Sequence, residues 1–397
     1  MSDSEFLTAD AAAHLLGVTR QTLYAYVSRG LIRSQPGPGP SRARWYPRGA
    51  VEALLRARVR TPGERALAGA MQWGAPVLES ALTLIDGGRL YYRGRDVIAL
   101  SREASLEHVA SILWTDGEVA AQMLFASVPP ARPGRTSRPP TPILAGMEGA
   151  LVKAAHQSLA SVSSPTPARL RAAAEIVGLL FASAGAVGSG RMATRLARGW
   201  RTPDDGAIAA ALVLCADHEL NVSAFTARCI ASSDARLEHV LLGALCAFQG
   251  RRHGGLGARV HAMLDDADRS GADGALERVL AEQGEVPGFG HPLYAEGDPR
   301  AVELLRLAPS PDHDDHIVKL QQTCEVRLNL KPNLDFGLAA FASRLELPPG
   351  AGAAIFALGR SIGWIAHAFE AWDDESLIRP RARYVGPVPR SVTTSGE

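Results

Sequence analysis

Two histidines, an arginine and an aspartate occur in this chain beside residues that shape the backbone. They are His253-Gly254-Gly255, then Gly288-Phe289-Gly290-His291 followed by Asp298-Pro299-Arg300, then Asn333-Leu334-Asp335-Phe336. Near neutral pH a histidine can polarise or protonate an oxygen, and an aspartate can take a proton from carbon. An arginine can hold a carboxylate with a planar two-pronged hydrogen bond. The set reads as carbon–carbon bond chemistry on a carboxylated substrate. Each motif alone is weak, and their joint order carries the reading.

The elements that must position these residues are bounded by the bulk properties. A chain of 397 residues predicts two or three folding units, and 46% hydrophobic residues suffice for a large core. No apolar run approaches the roughly 20 residues needed to cross a bilayer. The start, Met1-Ser2-Asp3-Ser4-Glu5, lacks the basic and apolar segments of a secretory signal, so a cytoplasmic protein is expected. Cys215, Cys229, Cys246 and Cys324 have no C-x-x-C spacing, which predicts reduced core residues rather than disulfides or a thiolate metal site.

Net charge is +1, but it is unevenly divided: residues 1–60 hold nine Arg against four Asp and Glu. A small basic module on a mildly acidic body points to separate tasks, with nucleic acid a candidate partner of the basic part. Within it, Thr8 and Thr19 are suited to cap two short helices and Gly17 to end the first. Leu23, Tyr26 and Val27 recur at helical spacing, giving a helix-turn-helix. The Pro-, Gly- and Arg-rich stretch from Arg33 to Pro47 predicts a wing, followed by a helix carrying Val51, Leu54 and Leu55. On this reading Arg20, Gln21 and Tyr24 face a DNA groove, and Arg42 and Arg44 meet phosphates. The alternative is a packing module that does not bind DNA.

Beyond a linker, Ala- and Leu-rich stretches with helical periodicity dominate, among them Ser105–Leu113, Pro167–Ala182, Gly206–Val213, Leu237–Ala247 and Ala353–His367. Strand patterns are scarce, so the fold class is mainly α. Ser127 to Pro142 reads as a surface loop. Asp312-His313-Asp314-Asp315-His316 has two histidines three apart, but the flanking Pro309 and Pro311 favour a solvated helix start over a metal site. Gly185 to Gly190 lacks the Lys-Ser/Thr of a phosphate loop.

Further motifs complete the pattern: Asp86-Gly87-Gly88-Arg89-Leu90-Tyr91-Tyr92-Arg93-Gly94-Arg95-Asp96-Val97, Asp217-His218-Glu219-Leu220-Asn221-Val222-Ser223, Gly359-Arg360-Ser361-Ile362-Gly363-Trp364-Ile365-Ala366-His367 and Arg379-Pro380-Arg381. With the His253, His291–Arg300 and Asp335 motifs between them, the chain from about Pro76 to Gly386 resembles the citrate synthases. The first fifty or so residues resemble the winged helix-turn-helix of MerR and phage-excisionase proteins. The expected architecture is a two-domain helical body behind a small winged domain. Its parts would be 1–60 for the helix-turn-helix, 61–75 for the linker, 76–253 with 341–397 for the large domain, and 254–340 for the small domain.

The resemblance implies condensation of an acyl-CoA with oxaloacetate, and thioester hydrolysis to citrate or 2-methylcitrate and CoA. Asp335 would be the base, His253 would hydrogen-bond the thioester oxygen, and His291 would polarise the keto carbonyl. Arg300, Arg360 and Arg379 would grip the two carboxylates of oxaloacetate, with His218 assisting. Gly288, Phe289 and Gly290 would contact CoA. The family's counterpart of Arg379 comes from the partner subunit, implying a homodimer. No permanently bound cofactor and no metal are implied; acyl-CoA is a substrate. A helix opening after Gly254-Gly255 would keep His253 neutral.

This chain departs from the family pattern around these residues. Leu256-Gly257-Ala258 stands for A-N-E, Cys215 for a histidine before D-H-E, and Pro292-Leu293-Tyr294-Ala295-Glu296 for a basic segment. Gly337-Leu338 replaces Tyr-Ser, which suggests a reshaped acyl pocket. Arg251, Arg252 or Arg259 are candidates to meet the CoA phosphates instead. The rival reading is a transcription regulator whose body senses acyl-CoA or a dicarboxylate. Asp335 favours the enzyme, because a sensor has no use for a base aimed at carbon.

Overall fold

In the computed structural model of the chain, the residues described are 6–37, 43–59, 78–130, 142–157, 166–310, 315–374, 376–382 and 384–386. The chain divides into two compact units, Met1–Glu79 and Ser80–Glu397. Arg42, the 61–75 linker, Asp312, His313, Asp314 and most of the Ser127–Pro142 loop lie outside the described residues.

In the first unit, helices Ala9–Leu16 and Arg20–Ser28 form where their caps predict. Thr8 Oγ1 accepts from the Ala11 N–H at 3.3 Å, Thr19 Oγ1 accepts from Thr22 at 3.2 Å, and Gly17 closes the first helix at φ +62°. Leu23 is fully buried against Leu16, Tyr46 and Val51 of the third helix, Arg48–Val59. Strand Arg44–Pro47 pairs antiparallel with Gln35–Pro36 as the expected wing. It also pairs with Phe6–Thr8, a strand the residue pattern did not announce.

Among its described residues the second unit is helical apart from one antiparallel sheet, Thr83–Asp86, Arg89–Tyr92 and Arg95–Asp96. The body is mainly helical, as its periodicity predicts. Gly87 and Gly88, at φ +54° and +73°, make the two-residue hairpin turn between its first strands.

A large apolar core surrounds the 24-residue helix Ala351–Asp374. Helices Leu106–Thr115, Asp205–Leu214, Val222–Ala231 and Leu237–Phe248 pack around it. A smaller core joins Leu256–Ser270, Ala272–Gln283 and His316–Leu328 through Val260, Leu276, Leu320 and Phe336. Helix Leu334–Arg344 serves both: Leu334, Leu338 and Phe341 enter the large core, while Phe336, Ala339 and Ala340 enter the small one.

Backbone contact sets the position of the long helix. A Cβ on Gly359 would overlap Leu212 O, and one on Gly363 would overlap Ala216 O and the Asp217 carboxylate. The Gly363 N–H donates to Ala216 O at 3.0 Å. Two glycines one helical turn apart therefore let this helix lie directly on the chain entering the D-H-E motif. Gly363→Ala in the full chain is expected to cost about 1–3 kcal/mol through overpacking, read by urea denaturation. An unchanged midpoint would show that the approach is not tight.

Candidate active site

Asp335 sits in the first turn of helix Leu334–Arg344, whose cap, Asn333, accepts from the Asp335 N–H at 3.0 Å. The same Asn333 amide donates to Gly290 O at 3.0 Å, and its backbone N–H donates to Gly288 O at 2.9 Å. The loop bearing His291 is thus tied to the helix bearing Asp335. Gly288 has φ +85°, and a Cβ there would come within 2.9 Å of Val260 and 3.1 Å of Phe336. Phe289 is buried, its ring 4.8 Å from that of Phe336.

Asp298 caps helix Pro299–Leu307 and forms a two-pronged pair with Arg300, Nε to Oδ1 at 3.0 Å and Nη2 to Oδ2 at 2.7 Å. Both residues are buried. Burial disfavours the Arg300 charge, but the Asp298 carboxylate outweighs it and raises the guanidinium above its ordinary range.

Arg360 is 1% exposed, donates from Nε to Cys215 O at 2.8 Å and lies over the Phe356 ring at 4.5 Å. Burial pulls its guanidinium below the ordinary range, and nearby Asp217 opposes that shift. Nη1 of Arg300 and Nη1 of Arg360 are buried without a hydrogen-bond partner among the described residues. Buried polar atoms are normally satisfied, so both point to an acceptor that arrives from outside.

The histidines surround these guanidinium groups. His218 stands edge-on to His291 with ring centroids 5.4 Å apart, and its Nε2 is 2.9 Å from the Tyr294 hydroxyl. Burial first, then Arg300 and Arg360, lowers His218 well below the ordinary imidazole range. Burial and Arg300 lower His291 likewise. The Leu293 N–H donates to His291 Nδ1 at 3.2 Å, which leaves the proton of a neutral ring on Nε2.

His253 packs edge-on against Phe248 and Phe356, and its Nε2 is 2.9 Å from Ser223 Oγ. It is held down to about 4, by burial first and then by Arg360. The helix expected after it does begin at Leu256, but burial and a neighbouring charge are the causes found for its neutrality. Burial lifts the Asp335 carboxyl to about 6, against the opposing pull of Arg300.

Six of the seven residues expected in the catalytic and oxaloacetate sets therefore share one region. The seventh, Arg379, which the resemblance expects to serve the site of a partner subunit, is exposed on the segment after the long helix. Some expectations are corrected. Gly337 does not open a pocket, because a Cβ there would meet Ala301 Cα at 2.9 Å, and the glycine serves helix crossing instead. Arg259 is engaged by Gln283 and by Glu285 at 3.2 Å. Arg251 and Arg252 are exposed. Cys246 is exposed rather than in the core, and all four cysteines are free. His316 lies 3.5 Å from Asp268 and 3.8 Å from Asp315.

On the first unit, Gln21 and Tyr24 are exposed as expected, but Arg20 is paired with Asp10. Arg44 donates to Ser34 at 2.9 and 3.0 Å and braces the wing. The residue reading missed the roles of Tyr294 and Asp298; a carboxylate two residues before a buried arginine was the available signal for Asp298.

The family model for the citrate synthase C-terminal domain matches residues 143–381, and the model for a helix-turn-helix domain matches 6–59. Citrate synthase of Haloferax volcanii is 30% identical over 367 residues, covering 79% of this chain and 94% of that protein. The 2-methylcitrate synthase 1 of Corynebacterium glutamicum is 32% identical over 212 residues, 49% of this chain and 56% of its own. The crystal structure of citrate synthase from Thermotoga maritima superposes with a TM-score of 0.63 at 26% identity, covering 80% of this chain and 95% of that one. The chain belongs to the citrate synthase family. It is an enzyme of that type and carries a helix-turn-helix domain in addition.

Asp298→Ala would leave Arg300 as a buried charge without its partner. We expect a loss of about 3–5 kcal/mol in urea denaturation. A loss below about 1 kcal/mol, the range of an exposed pair, would contradict this account of the site.

Proposed function

We propose that the body condenses an acyl-CoA with oxaloacetate and hydrolyses the resulting thioester, giving citrate or 2-methylcitrate and CoA. The two buried, unpartnered guanidinium nitrogens beside neutral histidines are the observation that carries this reading. They suit a small diacid whose carboxylates replace the missing acceptors. Arg300 and Arg360 would take those carboxylates, with His218 held by Tyr294 beside them. A second copy of the chain would supply Arg379, making the working unit a homodimer.

In this scheme the Asp335 carboxylate removes a proton from the carbon next to the thioester. Its raised position, about 6, makes it a stronger base than an ordinary aspartate yet leaves it ionised at neutral pH. The His253 ring donates to the thioester oxygen as the enolate forms. Trp364 donates to Ser223 Oγ at 3.2 Å, and Ser223 lies 2.9 Å from His253 Nε2. The single Ser223 hydroxyl proton has two acceptors within reach, Asn221 Oδ1 at 2.9 Å and His253 Nε2; in this scheme it turns to Nε2 when substrate binds, which puts the ring proton on Nδ1, available to the thioester. The Nε2 proton of His291 polarises the keto carbonyl under attack. Neutral donors stabilise the developing charge without a competing salt bridge in the ground state.

We assign the large and small cores to the two domains of the family, with the boundaries near 254 and 340. CoA would pass the backbone of Gly288 and Gly290, since the Phe289 ring is turned into the small core, with Arg251 and Arg252 near its phosphates. Acetyl-CoA is the first candidate and propionyl-CoA the second. For the first unit we propose duplex DNA, met by Gln21 and Tyr24, with Arg42 and Arg44 at phosphates and Arg20 contributing through its pair with Asp10.

With purified protein, oxaloacetate and each acyl-CoA, thiol release is expected. Asp335→Asn should lower kcat by about 100-fold or more while oxaloacetate affinity stays within about threefold. A large loss of oxaloacetate affinity would remove Asp335 from the base role. Because the base must be ionised, kcat/KM should rise with pH through about 6 and then level. A limb lying near 4 would contradict the assignment. The full chain should bind duplex DNA with an affinity that falls steeply as salt rises; absence of salt-dependent binding would discard the DNA reading.

A further inference from the structure

One fully buried histidine lies outside this scheme. His367 is 0% exposed, two helical turns beyond Arg360 on the long helix. Its Nε2 is 3.3 Å from Asp217 Oδ1, and its Nδ1 is 3.9 Å from Glu370 Oε2. Glu370 is held in turn by Arg228 at 2.6 Å and by the Ala81 N–H at 2.8 Å. Asp217 is also fully buried, and its other oxygen accepts from Thr83 Oγ1 at 2.5 Å.

Asp217 leads directly into the functional turn. His218 follows it, and Glu219 takes φ +49°, so the chain reverses sharply there. The buried Tyr92 hydroxyl clamps the turn from behind, accepting from the Asp217 N–H at 3.0 Å and lying within 3.2 Å of Asp217 O. The Asp217 side chain and the His218 ring are thus set by one short, tightly held segment.

We propose that His367 is a positioning residue for the diacid site: by holding Asp217 against the long helix, it fixes the turn that presents His218 and keeps the Asp217 carboxylate from claiming Arg360. The charges require such a device. Asp217 acts on Arg360 electrostatically, and a carboxylate free to swing would pair with that guanidinium and compete with the substrate. The His367 ring, 3.3 Å from Oδ1 without a formed hydrogen bond, and the Thr83 hydroxyl, donating to Oδ2, flank the two carboxylate oxygens. Rotation toward Arg360 would break the Thr83 hydrogen bond and pull the carboxylate away from the His367 ring.

This inference rests on the synthase reading, and the experiment separates the two. In the full-length protein, His367→Phe keeps ring volume and removes both nitrogens, whereas His367→Gln keeps an N–H at the reach of Nε2. Oxaloacetate binding by calorimetry and steady-state KM values for both substrates are measured. His367→Phe should weaken oxaloacetate binding and raise its KM about tenfold, as loss of the contact that restrains the Asp217 carboxylate predicts, with the KM for acyl-CoA within about twofold. His367→Gln should recover most of the loss. A folded His367→Phe with wild-type oxaloacetate affinity overturns the proposal, as does an equal defect in both variants. If His367→Phe does not fold, Thr83→Val frees the other Asp217 oxygen and must weaken oxaloacetate binding too; unchanged affinity overturns the proposal. Absence of turnover in the wild type would defeat the synthase reading, while calorimetry would still decide the part played by His367.

Discussion

Two guanidinium groups held in the protein interior, Arg300 and Arg360, impose the constraint to which the surrounding structure answers. Charge out of water is tolerated only with partners of the right geometry. Arg300 has a two-pronged carboxylate from Asp298, and Arg360 has a backbone carbonyl, an aromatic face and the field of Asp217. Each arrangement is incomplete at Nη1. The interior therefore carries positive charge that its own side chains leave unpaired, which suits capture of an anion.

Burial sets the state of the three histidines, and the same charge reinforces it. Imidazolium groups beside buried guanidinium groups would add like charge in a poorly screened space, so burial and the arginines act in the same direction. Asp335 experiences the opposite balance. Burial raises its carboxyl to about 6, and Arg300 limits the rise. Neutral donors and one poised base thus follow from burial in one region beside two positive charges, without a separate device for each group.

Backbone packing makes this arrangement possible. Gly359 and Gly363 allow the long helix to rest on the chain at Leu212, Ala216 and Asp217, which brings Arg360 beside the D-H-E turn. Gly337 allows helices Pro299–Leu307 and Leu334–Arg344 to cross closely, which brings Arg300 beside Asp335. Helix Leu334–Arg344 presents opposite faces to the two cores, so a residue at its start lies between them. A glycine that reads in the motif as a change of pocket shape is, in the fold, a condition of helix approach.

Much of the local structure was legible in residue order alone. The caps Thr8 and Thr19, the stop at Gly17 and the long helical stretches follow from short-range hydrogen bonding and periodicity, which act within a few residues. The resemblance motifs also named His218, His253, His291, Arg300, Asp335 and Arg360, which the fold gathers into one region. The sequence could not say that Arg20 is occupied by Asp10 or that Gly337 fills no pocket wall. Nor could it connect His367 to Asp217, 150 positions earlier in the chain. Capping and periodicity are written in neighbouring residues, whereas partner choice, burial and the resulting proton affinities depend on which distant segments meet, and only the tertiary structure decides that.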